Sequence, residues 1–142
     1  MNIFNIENAF KKKKEKGWDT LYWVIDLHDT IIKGRYTEMN ENPEFYPYAK
    51  TVLQNLSHRT DTKLILWTSS HNKSIDDILL WFESQLIHFD FINDNLECKS
   101  DNIKNFARKF YFNVLLDDKA GFNGEVDWLL VENELIRIGE WQ

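Results

Sequence analysis

Leu21-Tyr22-Trp23-Val24-Ile25-Asp26-Leu27-His28-Asp29-Thr30-Ile31-Ile32 is the stretch on which the fold turns. An apolar run, Leu21 to Ile25, stops at a cluster of polar groups, and apolar residues then resume. An uninterrupted apolar run suits a central strand covered on both faces, and the polar cluster then lies at its carboxyl end. In open α/β sheets, ligands bind beyond that end. By itself the stretch reads equally as a strand followed by an Asp-rich turn, so the partners downstream decide.

Two later segments repeat the pattern. Lys63-Leu64-Ile65-Leu66-Trp67 ends at Thr68-Ser69-Ser70-His71, and Phe112 to Leu116 ends at Asp117-Asp118. Ile87 to Ile92 alternates with His88 and Asp90, which predicts a more exposed third strand. Val126 to Val131 predicts a fifth strand.

Helical spacing fills the intervals. Ile3, Ile6, Ala9 and Phe10 predict an amphipathic N-terminal helix within residues 1–17, its lysines (11–14 and 16) at the C-terminal end and Gly17 as its stop. Those lysines read as a solvated helix end before they read as a nucleic-acid or membrane contact. Pro47 is placed to start a helix bearing Ala49, Val52, Leu53 and Leu56. Ser74 with Asp77 resembles a capping box ahead of Ile75, Ile78, Leu79, Phe82 and Leu86. Ser100 can cap a helix carrying Ile103, Phe106, Ala107, Phe110 and Tyr111. Residues 33–46 read as a flap-like loop, with a short hairpin around Arg35 to Met39, and Lys119 to Glu125 reads as a turn. The tail from Glu132 to Gln142 fits either a short helix or an extended segment. Alternating strands and helices predict an α/β fold, mainly parallel, with right-handed crossovers.

Bulk properties narrow the class. A chain of 142 residues, 43% hydrophobic and 15% aromatic, is expected to be one packed domain spanning 1–142. Its net charge of -6 disfavours a general nucleic-acid binder while leaving room for a local basic rim. A single cysteine, Cys98, cannot form an internal disulfide, and no apolar run approaches the roughly 18 residues of a membrane span. No signal peptide is read, and the expectation is a soluble cytoplasmic protein.

Strand ends carry the chemistry. In a parallel sheet, Asp26, His28, Asp29 and Thr30 would share one edge with Thr68, Ser69, Asp117 and Asp118. Carboxylates from two strands can share a hard cation, and Mg²⁺ keeps several waters, so two or three protein oxygens suffice. A phosphoryl group at that cation would meet a carboxylate able to attack it, a hydroxyl to hold its oxygens and an ammonium to balance its charge. That pattern describes phosphoryl transfer through an aspartyl-phosphate. A receiver-type phosphorylation switch also clusters Asp at strand ends, but there the paired Asp come first, whereas here the pair comes last.

Asp26-Leu27-His28-Asp29-Thr30-Ile31-Ile32 resembles the D-x-D-G-T-L signature of the haloacid dehalogenase superfamily. Leu64 to Thr68 resembles its second motif, and Leu115-Leu116-Asp117-Asp118 its fourth; Tyr46-Pro47-Tyr48 ahead of a helix is also typical. The resemblance spans about residues 20–131. It implies a Rossmann-like three-layer sandwich, bound Mg²⁺ and Asp26 as nucleophile. It also implies that Thr68 grips phosphoryl oxygens, and that Asp117 and Asp118 hold the metal together with Asp26 and the His28 carbonyl. A phosphate-stabilising lysine is expected at Lys99 or, nearer the strand, Lys109; Lys104 lies between them.

Two positions depart from the pattern. His28 stands where the family's phosphatases carry the acid/base Asp, and a side chain with an unperturbed pKa near 6.5 suits both jobs. Asp29 stands where Gly is usual, and Asp tolerates the same turn geometry. The two usual sites of cap insertion, near residues 33–46 and 93–99, leave no room for a cap domain, so the chain resembles a capless member. Thr30, Ser69, Arg35 and Lys73, with Lys33, are the candidate substrate contacts. The resemblance thus implies a Mg²⁺-dependent phosphatase acting on a phosphorylated small molecule, a nucleic-acid end or a phosphoprotein. The alternative is a degenerate relative that binds a phosphorylated partner without turnover. His71 reads as surface loop; His58 and His88 have no partners at metal-ligand spacing, and Cys98 has no evident base beside it.

Overall fold

The computed structural model describes residues 2–33, 43–69, 72–98 and 110–142, without the side chains of residues 72 and 73. Its elements in order are α1 (Ile6–Lys16), β1 (Leu21–Asp26), α2 (Ala49–Ser57), β2 (Thr62–Trp67), α3 (Asn72–Ser84), β3 (Phe91–Ile92), β4 (Val114–Leu116) and α4 (Asp127–Arg137). The four strands form one sheet in the order β3-β2-β1-β4, and every pairing is parallel. This is the parallel α/β fold expected from the alternation, and it has the Rossmann-like arrangement that the resemblance implied.

β1 is the hub because its residues are buried on both faces. Leu21, Trp23 and Ile25 face a large apolar cluster to which α1, α2, α3 and α4 all contribute. Tyr22 and Val24 face the other way, with Ile65, towards Phe91, Cys98, Phe110, Phe112 and Leu115. β1 pairs with β2 from Leu21↔Thr62 to Asp26↔Trp67, and with β4 from Trp23↔Val114 to Ile25↔Leu116. The chain moves outward from β1 to β2 to β3, then returns past β1 to β4. The reversal opens a crevice between the carboxyl ends of β1 and β4, where this class of sheet binds ligands.

Several expected elements differ. The fifth strand does not form: Val126 to Val131 leads into α4, whose residues Trp128, Val131, Glu134 and Leu135 are buried while Leu129 and Leu130 are exposed. That spacing is helical, and a four-residue apolar run cannot separate the two readings by itself. The third strand shrinks to Phe91–Ile92 because the Asp90 carboxylate accepts the Leu64 N–H at 2.9 Å in place of a ladder partner. The fourth strand begins at Val114, not Phe112, because the Asn113 side chain accepts the Tyr22 N–H at 2.8 Å. The Pro47 helix begins at Ala49, after Tyr48 turns the chain at φ 69°. α3 begins at Asn72, so Ser74 lies inside the helix and not at its N-cap; Leu86 lies beyond its end, exposed, at φ 63°. The N-terminal helix is split: a single 3-10 turn over Ile3–Asn5 precedes α1, and Gly17 ends α1 at φ 67° as expected. Phe110 and Tyr111 belong to no helix, while residues 100–109 of the expected Ser100 helix lie outside the described residues.

The C-terminal tail is held by Arg59. Its guanidinium is buried, pairs with both Asp61 oxygens at 2.8 and 2.9 Å, reaches Glu140 Oε1 at 2.9 Å, and sits 5.0 Å over the Phe10 ring. The hydrogen bonds from Arg59, and then its charge, hold the Asp61 carboxyl down at about 2 against the effect of burial. No helix among the described residues is long and apolar enough to cross a membrane.

Candidate functional site

Asp26 is the last residue of β1, so its position follows from the sheet itself. Beyond it the chain turns tightly: the Ile31 and Ile32 N–H groups both donate to the Leu27 carbonyl, at 3.0 and 3.2 Å, and the Asp29 N–H donates to the Ile32 carbonyl at 2.9 Å. Asp29 occupies the turn at φ 63°, a left-handed conformation that Asp tolerates better than most side chains. The turn leaves His28 half-buried, Asp29 exposed and Thr30 wholly buried.

β4 delivers the second half of the site. Asp117 follows the strand and caps a short 3-10 turn, Asp118–Ala120, by accepting the Lys119 N–H at 2.9 Å. Carboxylate oxygens of Asp26, Asp117 and Asp118 all lie within 4.8 Å of one another, the one group of three or more such ligands among the described residues. Thr30 ties the halves: its hydroxyl donates to Asp26 Oδ2 at 3.2 Å and accepts the Asp118 N–H at 3.0 Å.

This crowding is visible in the acidity of the cluster. Burial, then a hydrogen bond to the Asp118 carboxyl and the charge of Asp117, push Asp26 up to about 7, against the pull of the Thr30 hydroxyl. Asp117 is also raised, chiefly by burial, with the Lys119 N–H pulling the other way. Three carboxyl groups crowded enough to hold a proton near neutrality are a donor set that a hard divalent cation fits.

The second strand contributes Thr68, buried just beyond β2, and Ser69, which is exposed. Thr68 is braced by Asn93, which lies in the segment considered above only as a site of cap insertion. Asn93 Oδ1 accepts the Thr68 N–H at 2.8 Å, and Asn93 Nδ2 donates to the Thr68 carbonyl at 2.7 Å. Asn93 adopts φ 56°, and an Asn directly after an apolar strand was the available signal. Lys33 is exposed and paired with Glu44 at 3.1 Å. Lys119, read only as turn, is an exposed ammonium next to the acidic pair. Lys73 lies in the first turn of α3, but its side chain lies outside the described set. Arg35, His71, Lys99, Lys104 and Lys109 also lie outside the described residues.

Fold and site together define a Rossmann-like α/β protein with a three-carboxylate cluster at its topological switch point. No protein-family model matches the chain, and no curated protein matches it. The fold is similar to the solved structure of a conserved protein from Bacteroides thetaiotaomicron. That protein is 24% identical at a TM-score of 0.61, over 83% of this chain and 90% of its own. A likeness at that identity speaks for the fold.

Proposed function

We propose that this chain is a Mg²⁺-dependent phosphohydrolase of the haloacid dehalogenase type, acting through an aspartyl-phosphate on Asp26. The observation that carries the reading is the convergence of Asp26, Asp117 and Asp118, which are separated by some ninety residues in sequence but whose carboxylate oxygens lie within 4.8 Å. Mg²⁺ would be held by these three side chains and the His28 carbonyl, and when bound would offset the charge of the phosphoryl oxygens.

The chain's own groups fall into matching roles. One Asp26 oxygen accepts the Thr30 hydroxyl, and the other is assigned the attack on phosphorus. The phosphoryl group passes to that oxygen, and the leaving alkoxide takes a proton from His28. His28 then deprotonates the water that cleaves the acyl-phosphate. Thr68, held from both sides of its peptide by Asn93, would anchor phosphoryl oxygens. The substrate is a phosphomonoester, carried by a small molecule, a nucleic-acid end or a protein.

Hydrolysis of p-nitrophenyl phosphate with and without Mg²⁺ tests the proposal. Turnover should require the metal and vanish in Asp26→Asn at unchanged fold. A second reading, a phosphate-binding protein without turnover, is favoured by one observation, the imidazole at position 28. It predicts metal-dependent phosphate binding, no hydrolysis, and activity gained in His28→Asp.

A further inference from the structure

Trp128 stands outside the acidic cluster, on α4. Its side chain is fully buried, and its ring meets Phe122 edge-on at 5.0 Å. Apolar packing explains a buried indole ring, but not the direction of its N–H. Trp23 is equally buried, and its Nε1 finds no partner among the described residues, so this core tolerates an unpaired indole. Trp128 Nε1–H, in contrast, donates to the Thr30 carbonyl at 2.7 Å inside the protein.

Thr30 is the residue whose hydroxyl touches both Asp26 and the Asp118 N–H. Its peptide neighbour is fixed from another direction, since the Ile31 carbonyl accepts the Tyr46 N–H at 3.0 Å. Removing the indole donor would leave the buried Thr30 carbonyl without a donor among the described residues, and the residue free to tilt at the joint between the two halves of the site.

We propose that Trp128 is a positioning residue for the acidic cluster: its N–H fixes Thr30, and Thr30 sets how Asp26 stands to the turn bearing Asp117 and Asp118. α4 is thereby a support of the site as well as a cover for the core. The consequence for metal binding rests on the function proposed above; the positioning itself does not.

Two variants separate positioning from packing. Trp128→Phe keeps an aromatic ring near Phe122 and removes the donor; Phe122→Leu disturbs the same packing and keeps the donor. Where Trp128→Phe does not fold, 3-benzothienylalanine at position 128, with sulfur in place of N–H, preserves the ring shape. Amide exchange of the metal-free protein, followed by NMR, reads the Asp118 N–H against the Val52 N–H in α2. The Asp118-to-Val52 exchange ratio should rise roughly tenfold without the indole N–H, the effect of losing one buried hydrogen bond, and should hold in Phe122→Leu. An unchanged ratio, or an equal rise in Phe122→Leu, overturns the inference. In a second arm, Mn²⁺ titration should show weaker binding in Trp128→Phe than in Phe122→Leu. If the exchange ratio responds but the wild-type chain binds no Mn²⁺, the positioning stands and the metal reading of the site falls.

Discussion

The backbone N–H of Asp118 donates to the Thr30 hydroxyl at 3.0 Å across 88 residues of sequence. The same hydroxyl donates to Asp26 at 3.2 Å, so one oxygen joins the end of β1 to the turn after β4. A hydroxyl can accept and donate at once, which an apolar side chain of the same shape cannot.

Thr30→Val keeps that shape and removes the joint. The half-buried Asp118 N–H loses its acceptor, so unfolding free energy should fall by about 1 kcal/mol in urea titration. Asp26 loses a donor that favours its charged form, so its pKa should rise further above 7, read by the carboxyl carbon shift in NMR. A Thr30→Ser variant should restore both.

The acidity of Asp26 makes stability depend on pH in an unusual direction. Its folded pKa lies above its unfolded value of about 4, so the folded state binds the extra proton between the two. The associated stability is present below pH 4 and is lost as pH rises through about 7. In chelator, the melting temperature of the wild-type chain should therefore fall, relative to Asp26→Asn, between pH 5 and 8. Parallel melting curves over that range would rule out the carboxylate crowding. Mg²⁺ should remove the difference at pH 8 by stabilising only the wild type.

Asn93 supplies two hydrogen bonds to the Thr68 peptide from a left-handed backbone conformation. Asn93→Gly keeps the conformation and loses the bonds; Asn93→Ala loses the bonds and adds backbone strain. Phosphate or vanadate affinity should fall similarly in both, while Asn93→Ala should be less stable by a further ~1 kcal/mol. Isothermal titration and chemical denaturation read the two effects separately.

Arg59 predicts a stability effect away from the site. Arg59→Leu leaves Asp61 without its bidentate partner and the Glu140 carboxylate without its cation. A loss of about 3 kcal/mol is expected, the lower end for broken buried pairs because Asp61 keeps contact with solvent. Asp61 is lowered to about 2, so its contribution is present above its unfolded pKa near 4 and is lost as pH falls towards 2. Arg59→Leu should flatten that acid limb of the wild-type stability curve.

The strands, and the residues at their ends, were legible in the sequence because a strand buried on both faces needs an unbroken apolar run. Leu21 to Ile25 and Leu64 to Leu66 read as β1 and β2 for that reason, and the polar residues that stop them mark the sheet's carboxyl edge. The left-handed turn at Asp29 was legible too, since few other side chains take that geometry. Less regular pieces were not. Asp90 and Asn113 replace ladder partners with their side chains and so shorten strands whose apolar pattern runs further. Trp128 to Val131 is four apolar residues long, and only packing against the cluster of α1 and α2 shows which of them face inward. Sequence alone therefore determined the class of fold and which residues lie at the sheet edge, because burial periodicity is a local property of the chain. The order of the motifs already led one to expect Asp26 at one edge with Asp117 and Asp118, where the fold places them. Tertiary structure alone decided that Thr30 joins them, that Asn93 braces Thr68 and that an indole N–H reaches Thr30, because hydrogen bonds between distant residues exist only once the strand order is fixed.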